Sequence, residues 1–216
     1  MEEVVIVPKI IDNLNGYTIK YSNNATINDY LREIEKLVLA TNYSRESRTK
    51  TCLGCIKCCY ERIPLTNIDV QNLLKGIYKL KRVKYDFYTF LRDYTEIFIN
   101  GVEIDIILKR KENNACIFLN EKEKKCEVYN YRPFVCRSFY CIPTTNEIEM
   151  LRLGIVNLGE DALVRQYLLY LTETKNKPYW TYAEKPKLTL NFYPKNLFWG
   201  KNSYDIKLKD ILFYLK

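Results

Sequence analysis

Apolar residues recur at helical spacing at Ile27, Leu31, Ile34 and Val38, directly behind Thr26, a residue type that caps helix N-termini. Upstream, "GYTIKY" alternates apolar and polar positions. Residues 1–41 therefore read as a strand or two and then a helix with a core-facing side. Thr66 opens "NIDVQNLLKGIY" with Asp69 three residues on, a capping arrangement, and Val70, Leu73, Leu74 and Ile77 fall on one face of a second helix. "YDFYTFLRDY" (85–94) predicts a third, short helix, and "VEIDIILK" (102–109) a strand with Ile104, Ile106 and Leu108 on one side. In "CIFLNEKEKKCEVY" (116–129) two β-prone runs flank a charged centre, the pattern of a hairpin with a cysteine on each arm. Pro133 suits the first turn of another short helix. Past Pro143, "EMLRLGIVNLGEDALVRQYLLYL" predicts a long amphipathic helix, followed by an aromatic and basic tail.

Among these elements, the cysteines are distributed unevenly. All eight fall into two groups of four: Cys52, Cys55, Cys58 and Cys59, then Cys116, Cys126, Cys136 and Cys141. The chain contains no histidine, which removes mixed Cys/His zinc fingers, Rieske ligation and His-based hydrolase mechanisms. "MEEVVIVPKI" lacks the basic start of a secretory signal, and runs such as "YLLYL" and "ILFYL" fall far short of the roughly 18 apolar residues of a membrane span. A cytoplasmic protein without membrane attachment is expected. In a reducing cytosol clustered cysteines are metal ligands rather than bridges, although the Lys-, Glu-, Ile- and Tyr-rich composition would also suit a hyperthermophile, whose intracellular proteins can be disulfide-rich.

All eight cysteines are candidate metal ligands. A C-x2-C-x2-C loop lets three thiolates face one centre, as in ferredoxin loops, whereas structural zinc commonly uses two paired knuckles. The second group, with nine, nine and four intervening residues, contains no such knuckle. The spacing favours an iron–sulfur cluster of the [4Fe–4S] type, with zinc as the alternative. Adjacent Cα atoms lie about 3.8 Å apart, below the usual 4.4–6.8 Å of a disulfide, so Cys58 and Cys59 are poor partners for one another. Their side chains diverge, and one of the two is expected to serve a different centre or to stay free. Arg132 and Arg137 flank Cys136, either lowering thiol pKa values or pairing with carboxylates at the surface.

The succession "CLGCIKCC", "IPLTNIDV", "CIFL" and "CEVYNYRPFVCRSFYC" resembles the YkgJ-like CxxCxxCC cysteine-cluster family, a zinc- or iron-chelating domain. The resemblance covers residues 50–143 and includes the Arg132-Pro133 and Cys136-Arg137 pairs. It implies metal chelation by the cysteines. A branch with a similar motif, the flagellin lysine N-methylase, implies an iron–sulfur centre and a protein-modifying reaction.

The resulting expectation is an α+β fold. A small metal-stapled cysteine-cluster domain with short helices and a β-hairpin spans 50–143, an N-terminal strand/helix segment (1–49) packs on it, and a helical, aromatic/basic extension follows (144–216). The net charge of +8 counts every thiol as neutral, and two four-thiolate centres would lower it to about +4. Basicity is thus a weaker nucleic-acid signal than it looks. There is no GxGxxG, P-loop or HExxH, and the first three cysteines do not have the C-x3-C-x2-C spacing of radical SAM enzymes. Asp69, Glu103 and Asp105 are carboxylates more apt to be pairing charges than catalysts. Three function classes remain: a structural or electron-transferring metal-binding protein, a metal-dependent enzyme acting on a protein substrate, and an RNA-binding module. The last draws on nineteen tyrosines and on "KPYWTYAEKPK", where basic and aromatic residues interleave.

Overall fold

A computed structural model describes residues 3–39, 55–174 and 176–214, and within them the fold is α+β. β1 (Val4–Ile11) and β2 (Leu14–Tyr21) pair antiparallel from Val4↔Tyr21 to Ile11↔Leu14. Asp12 and Asn13 join them with φ of 49° and 63°, the left-handed pair that a two-residue hairpin turn demands and that Asp and Asn tolerate. α1 (Ile27–Leu39) begins at Thr26, whose hydroxyl accepts the Asp29 N–H at 3.2 Å while the Asp29 carboxylate accepts the Thr26 N–H at 2.9 Å. Ile27, Leu31, Ile34 and Val38 are all buried, as their periodicity requires.

α2 (Asn67–Lys81) carries the capping box of Thr66 and Asp69, and α3 (Phe87–Tyr94) is capped by Asp86, whose carboxylate accepts the Thr89 N–H at 2.9 Å. β3 (Thr95–Asn100) and β4 (Glu103–Leu108) form a second antiparallel pair. Ile104, Ile106 and Leu108 are buried, but so is Ile107 on the other side of the strand. Residues 63–65 run along the other edge of β4, with Leu65 N–H donating to Ile106 C=O and Leu108 N–H to Ile63 C=O, so both edges of β4 are paired.

The hairpin expected at 116–129 contracts to β5 (Leu119–Asn120) and β6 (Lys125–Cys126). Cys126 sits on one arm as expected. Cys116 instead lies before the other arm, where its N–H donates to the Cys59 carbonyl rather than to the hairpin partner. α4 (Phe134–Ser138) starts directly after Pro133, which has no N–H to lose at a helix start.

α5 (Asn146–Thr174) departs from a simple amphipathic helix. Ile148, Leu151, Ile155, Val156 and Ala162 join one hydrophobic cluster with β1, β2, α1 and the C-terminal residues Phe198, Tyr204 and Ile211. Leu163, Val164, Tyr167 and Leu168 join another with α2, α3, β3, β4 and the cysteine-bearing loops. At 3.6 residues per turn the second set points to a different side, so one helix serves two cores and shows no single apolar stripe. Gly159 lies where α5 meets the start of α2: a Cβ there would stand 2.4 Å from the Thr66 methyl, closer than any side chain permits. The tail adds β7 (Tyr182–Glu184), parallel to β3 in the order β4-β3-β7, and ends in α6 (Leu208–Tyr214). No helix among the described residues is long and apolar enough to cross a membrane.

Asp69 is fully buried, and its carboxylate does more than cap α2. One oxygen accepts the Thr66 N–H at 3.0 Å, and the other accepts the Phe134 N–H at 2.8 Å and the Tyr204 hydroxyl at 2.6 Å. Tyr204 in turn shares a 2.7 Å hydrogen bond with the Thr66 hydroxyl. The start of α2, the start of α4 and the C-terminal region are thus pinned to one side chain.

Two expected outcomes follow. Asp69→Asn replaces one acceptor oxygen by an NH2 group and strands a buried N–H, so urea unfolding should show a loss of about 1–3 kcal/mol. Glu160, on α5, accepts the Ile106 N–H at 3.0 Å, yet burial pushes its carboxyl up to about 7. A carboxyl whose folded pKa exceeds its unfolded value is favoured while protonated, so this contribution is present below about pH 4.5 and is lost as pH rises through 7. Glu160→Gln keeps the acceptor and removes the charge. Its melting temperature should exceed that of the wild type at pH 8 and converge with it near pH 4.

Candidate metal centre

Seven cysteines fall within the described residues, and no disulfide joins any two of them. Cys52 lies outside the described residues. Cys55, Cys58, Cys59, Cys116, Cys126, Cys136 and Cys141 line one cavity of about 90 Å³, with Arg132, Lys124, Lys125 and apolar side chains including Ile63, Phe118 and Val128. The two sequence groups therefore meet although 56 residues separate Cys59 from Cys116.

Each cysteine is placed by a local device. Cys58 and Cys59 lie in a short 3-10 turn, Lys57–Tyr60, in which the Cys59 N–H donates to Ile56 C=O at 3.0 Å. Successive residues of such a turn point about 120° apart, which separates the adjacent pair: Cys58 is exposed and Cys59 half-buried. The Cys116 N–H donates to the Cys59 carbonyl at 2.6 Å, a direct backbone clasp between the two groups. Cys126 is held by β6 opposite Leu119, and Cys136 sits on α4, whose first N–H is anchored on Asp69. Cys141 follows α4 and is exposed.

Burial dominates the electrostatics. It pushes the Cys59 thiol up to about 11, and the neighbouring thiols of Cys126 and Cys55 push the same way. Burial likewise raises Cys116 to about 12 and moves Cys126 up and Cys136 well above the usual thiol range. Arg132 opposes the shift at Cys59, Cys126 and Cys136. Its guanidinium stacks 3.7 Å from the centre of the Tyr129 ring, and its Nε donates to the Tyr129 carbonyl at 2.9 Å, which orients the charge toward the cavity wall. Both arginines also pair with a carboxylate, as the alternative reading expected: Arg137 Nε donates to Glu35 at 2.8 Å, and the Arg132 guanidinium lies 3.9 Å from the same side chain.

The donor set fits a soft metal. Thiolates select zinc and iron–sulfur centres, and with buried thiols, one arginine and two lysines around it the cavity offers both ligands and positive charge to offset them. Among the described residues, no three Cys, Asp or Glu side chains already converge as ligands of one ion, so metal binding would have to draw the thiols together. The other carboxylates singled out in the sequence take no part: Asp69 is the buried hydrogen-bond hub, Asp105 forms a 2.8 Å ion pair with Arg62, and Glu103 is exposed on β4. Lys124 and Lys125 were legible only as the polar centre of a hairpin; their position between two cysteines was the available signal.

Comparison with known proteins agrees with this chemistry. No solved structure matches the chain. An uncharacterized protein of Methanocaldococcus jannaschii is 30% identical over 136 residues, which cover 60% of this chain and 65% of that protein. Residues 51–153 match the family model CxxCxxCC, described as "Putative zinc- or iron-chelating domain". The cysteine-lined cavity lies within the matched segment.

Proposed function

We propose that the protein is a metal-binding protein whose cysteine-lined cavity holds an iron–sulfur cluster of the [4Fe–4S] type, in a structural or electron-transfer role. The observation that carries this reading is the convergence of seven thiols from four chain segments on one cavity. Burial keeps these thiols protonated, whereas a bound metal would convert them into paired thiolates. A bound cluster would supply one-electron chemistry.

The chain's own residues do the rest. Ile56, Ile63, Phe118 and Val128 keep water from the cavity wall, which strengthens every charge interaction inside it. Arg132, held by Tyr129, offsets thiolate charge and so favours a reduced, more negative centre. Clustered cysteines acting as metal ligands rather than bridges suit a reducing compartment such as the cytoplasm. Zinc remains the second reading, because the matching family description names zinc and iron alike.

Anaerobic purification followed by metal and acid-labile sulfide analysis tests the proposal. Iron and sulfide in comparable amounts, with broad visible absorption that bleaches on reduction, are expected. Zinc without sulfide would replace the cluster by zinc sites, and a chain free of both would overturn metal binding altogether.

A further inference from the structure

We infer that the cysteines do not act as one set: Cys59, Cys116, Cys126 and Cys136 form an inner four-thiolate site, and Cys55, Cys58 and Cys141 belong to a separate outer site at the cavity mouth. The inference rests on the metal-binding reading above and assigns its ligands. Cys52 lies outside the described residues and carries no part of it.

Burial draws the first line. Cys116 is buried and Cys59, Cys126 and Cys136 are half-buried, whereas Cys58 and Cys141 are exposed; Cys55 is half-buried as well, and only its packing sets it apart. Packing draws the same line, since the four inner cysteines all sit in or against the hydrophobic cluster built on α2, α3, β3 and β4, and Cys55, Cys58 and Cys141 do not. Cys55 lines the same cavity as Cys59, so the two sites are neighbours.

This division cuts across the order of the sequence. The inner site takes one cysteine from the first group and three from the second, and the 3-10 turn is what allows it: the 120° step between successive residues sends Cys59 inward and Cys58 outward. The backbone bond from Cys116 N–H to Cys59 C=O then fixes the two inner segments side by side. Four thiolates and no open position describe a closed site that staples the fold, suited to zinc or to a cubane cluster. Cys58 and Cys141 face solvent, and a soft metal ion bound by them with Cys55 would keep a position open to exchange or to an external ligand.

Native mass spectrometry of the anaerobically purified chain, wild type and the Cys58→Ser and Cys141→Ser variants, counts the centres. The rim residues are exposed, so their replacement leaves the fold intact. Two centres are expected in the wild type and one in each variant. In the Cys58→Ser/Cys141→Ser double variant, iodoacetamide should then leave Cys59, Cys116, Cys126 and Cys136 unmodified until a chelator strips the remaining metal. An unchanged count in the rim variants, loss of all metal from them, or alkylation of the inner four before chelation would each overturn the division. A wild-type chain without metal would instead remove the reading on which the division rests.

Discussion

Asp69 has no exposed surface, and both of its carboxyl oxygens are filled by donors from three separate segments. A buried carboxylate in an apolar core is tolerable only where such donors surround it, and burial still raises its pKa above the ordinary value despite them. This requirement organises the molecule. The chain must bring Thr66, Phe134 and Tyr204 to one point, and in doing so it sets α2, α4 and the C-terminal region in fixed relation. Phe134 and Tyr204 then pack with ring centres 5.7 Å apart, so apolar burial reinforces the same junction.

The cavity inherits its geometry from that junction. Cys136 stands two residues after Phe134 on α4, so the hydrogen bond to Asp69 places a thiol as well as a helix. Pro133 and Arg132 precede it and line the same cavity, with Arg132 turned by its stack on Tyr129. On the opposite side, α2 approaches the 129–131 turn closely enough that a Cβ on Gly76 would stand 2.9 Å from the Tyr131 side chain. The wall that carries Tyr129 and Arg132 is therefore held by α2, whose own start is capped by Asp69. Hydrogen bonding, close packing and ligand placement are one construction.

Much of this was legible in the sequence. Thr26 and Thr66, each with an aspartate three residues on, marked helix starts because a capping box is a purely local signal. The cysteines were legible as a cluster because their grouping is uneven and histidine is absent. Three features were hidden. β7 is three residues long and gains its partner only from β3, far away in sequence. α5 lost its apolar stripe by serving two cores in succession. The burial of Asp69 could not be seen either, because the Phe134 and Tyr204 donors lie 65 and 135 residues away from it. The separation of Cys58 from Cys59 was expected from adjacency, but which one faces inward depends on the phase of the 3-10 turn, a tertiary fact.

On the proposed reading, metal drawn to the cysteines beside the junction set by Asp69 holds residues 55–141 in their fold. Amide hydrogen exchange on the reduced chain, with metal and after chelation, measures this segment by segment. Removal of metal should collapse protection at residues 55–60, 116–126 and 134–141 while β1, β2 and α1 keep most of theirs. Equal protection with and without metal, in a chain shown to bind it, would contradict the claim and leave the fold to hydrogen bonds and apolar packing alone.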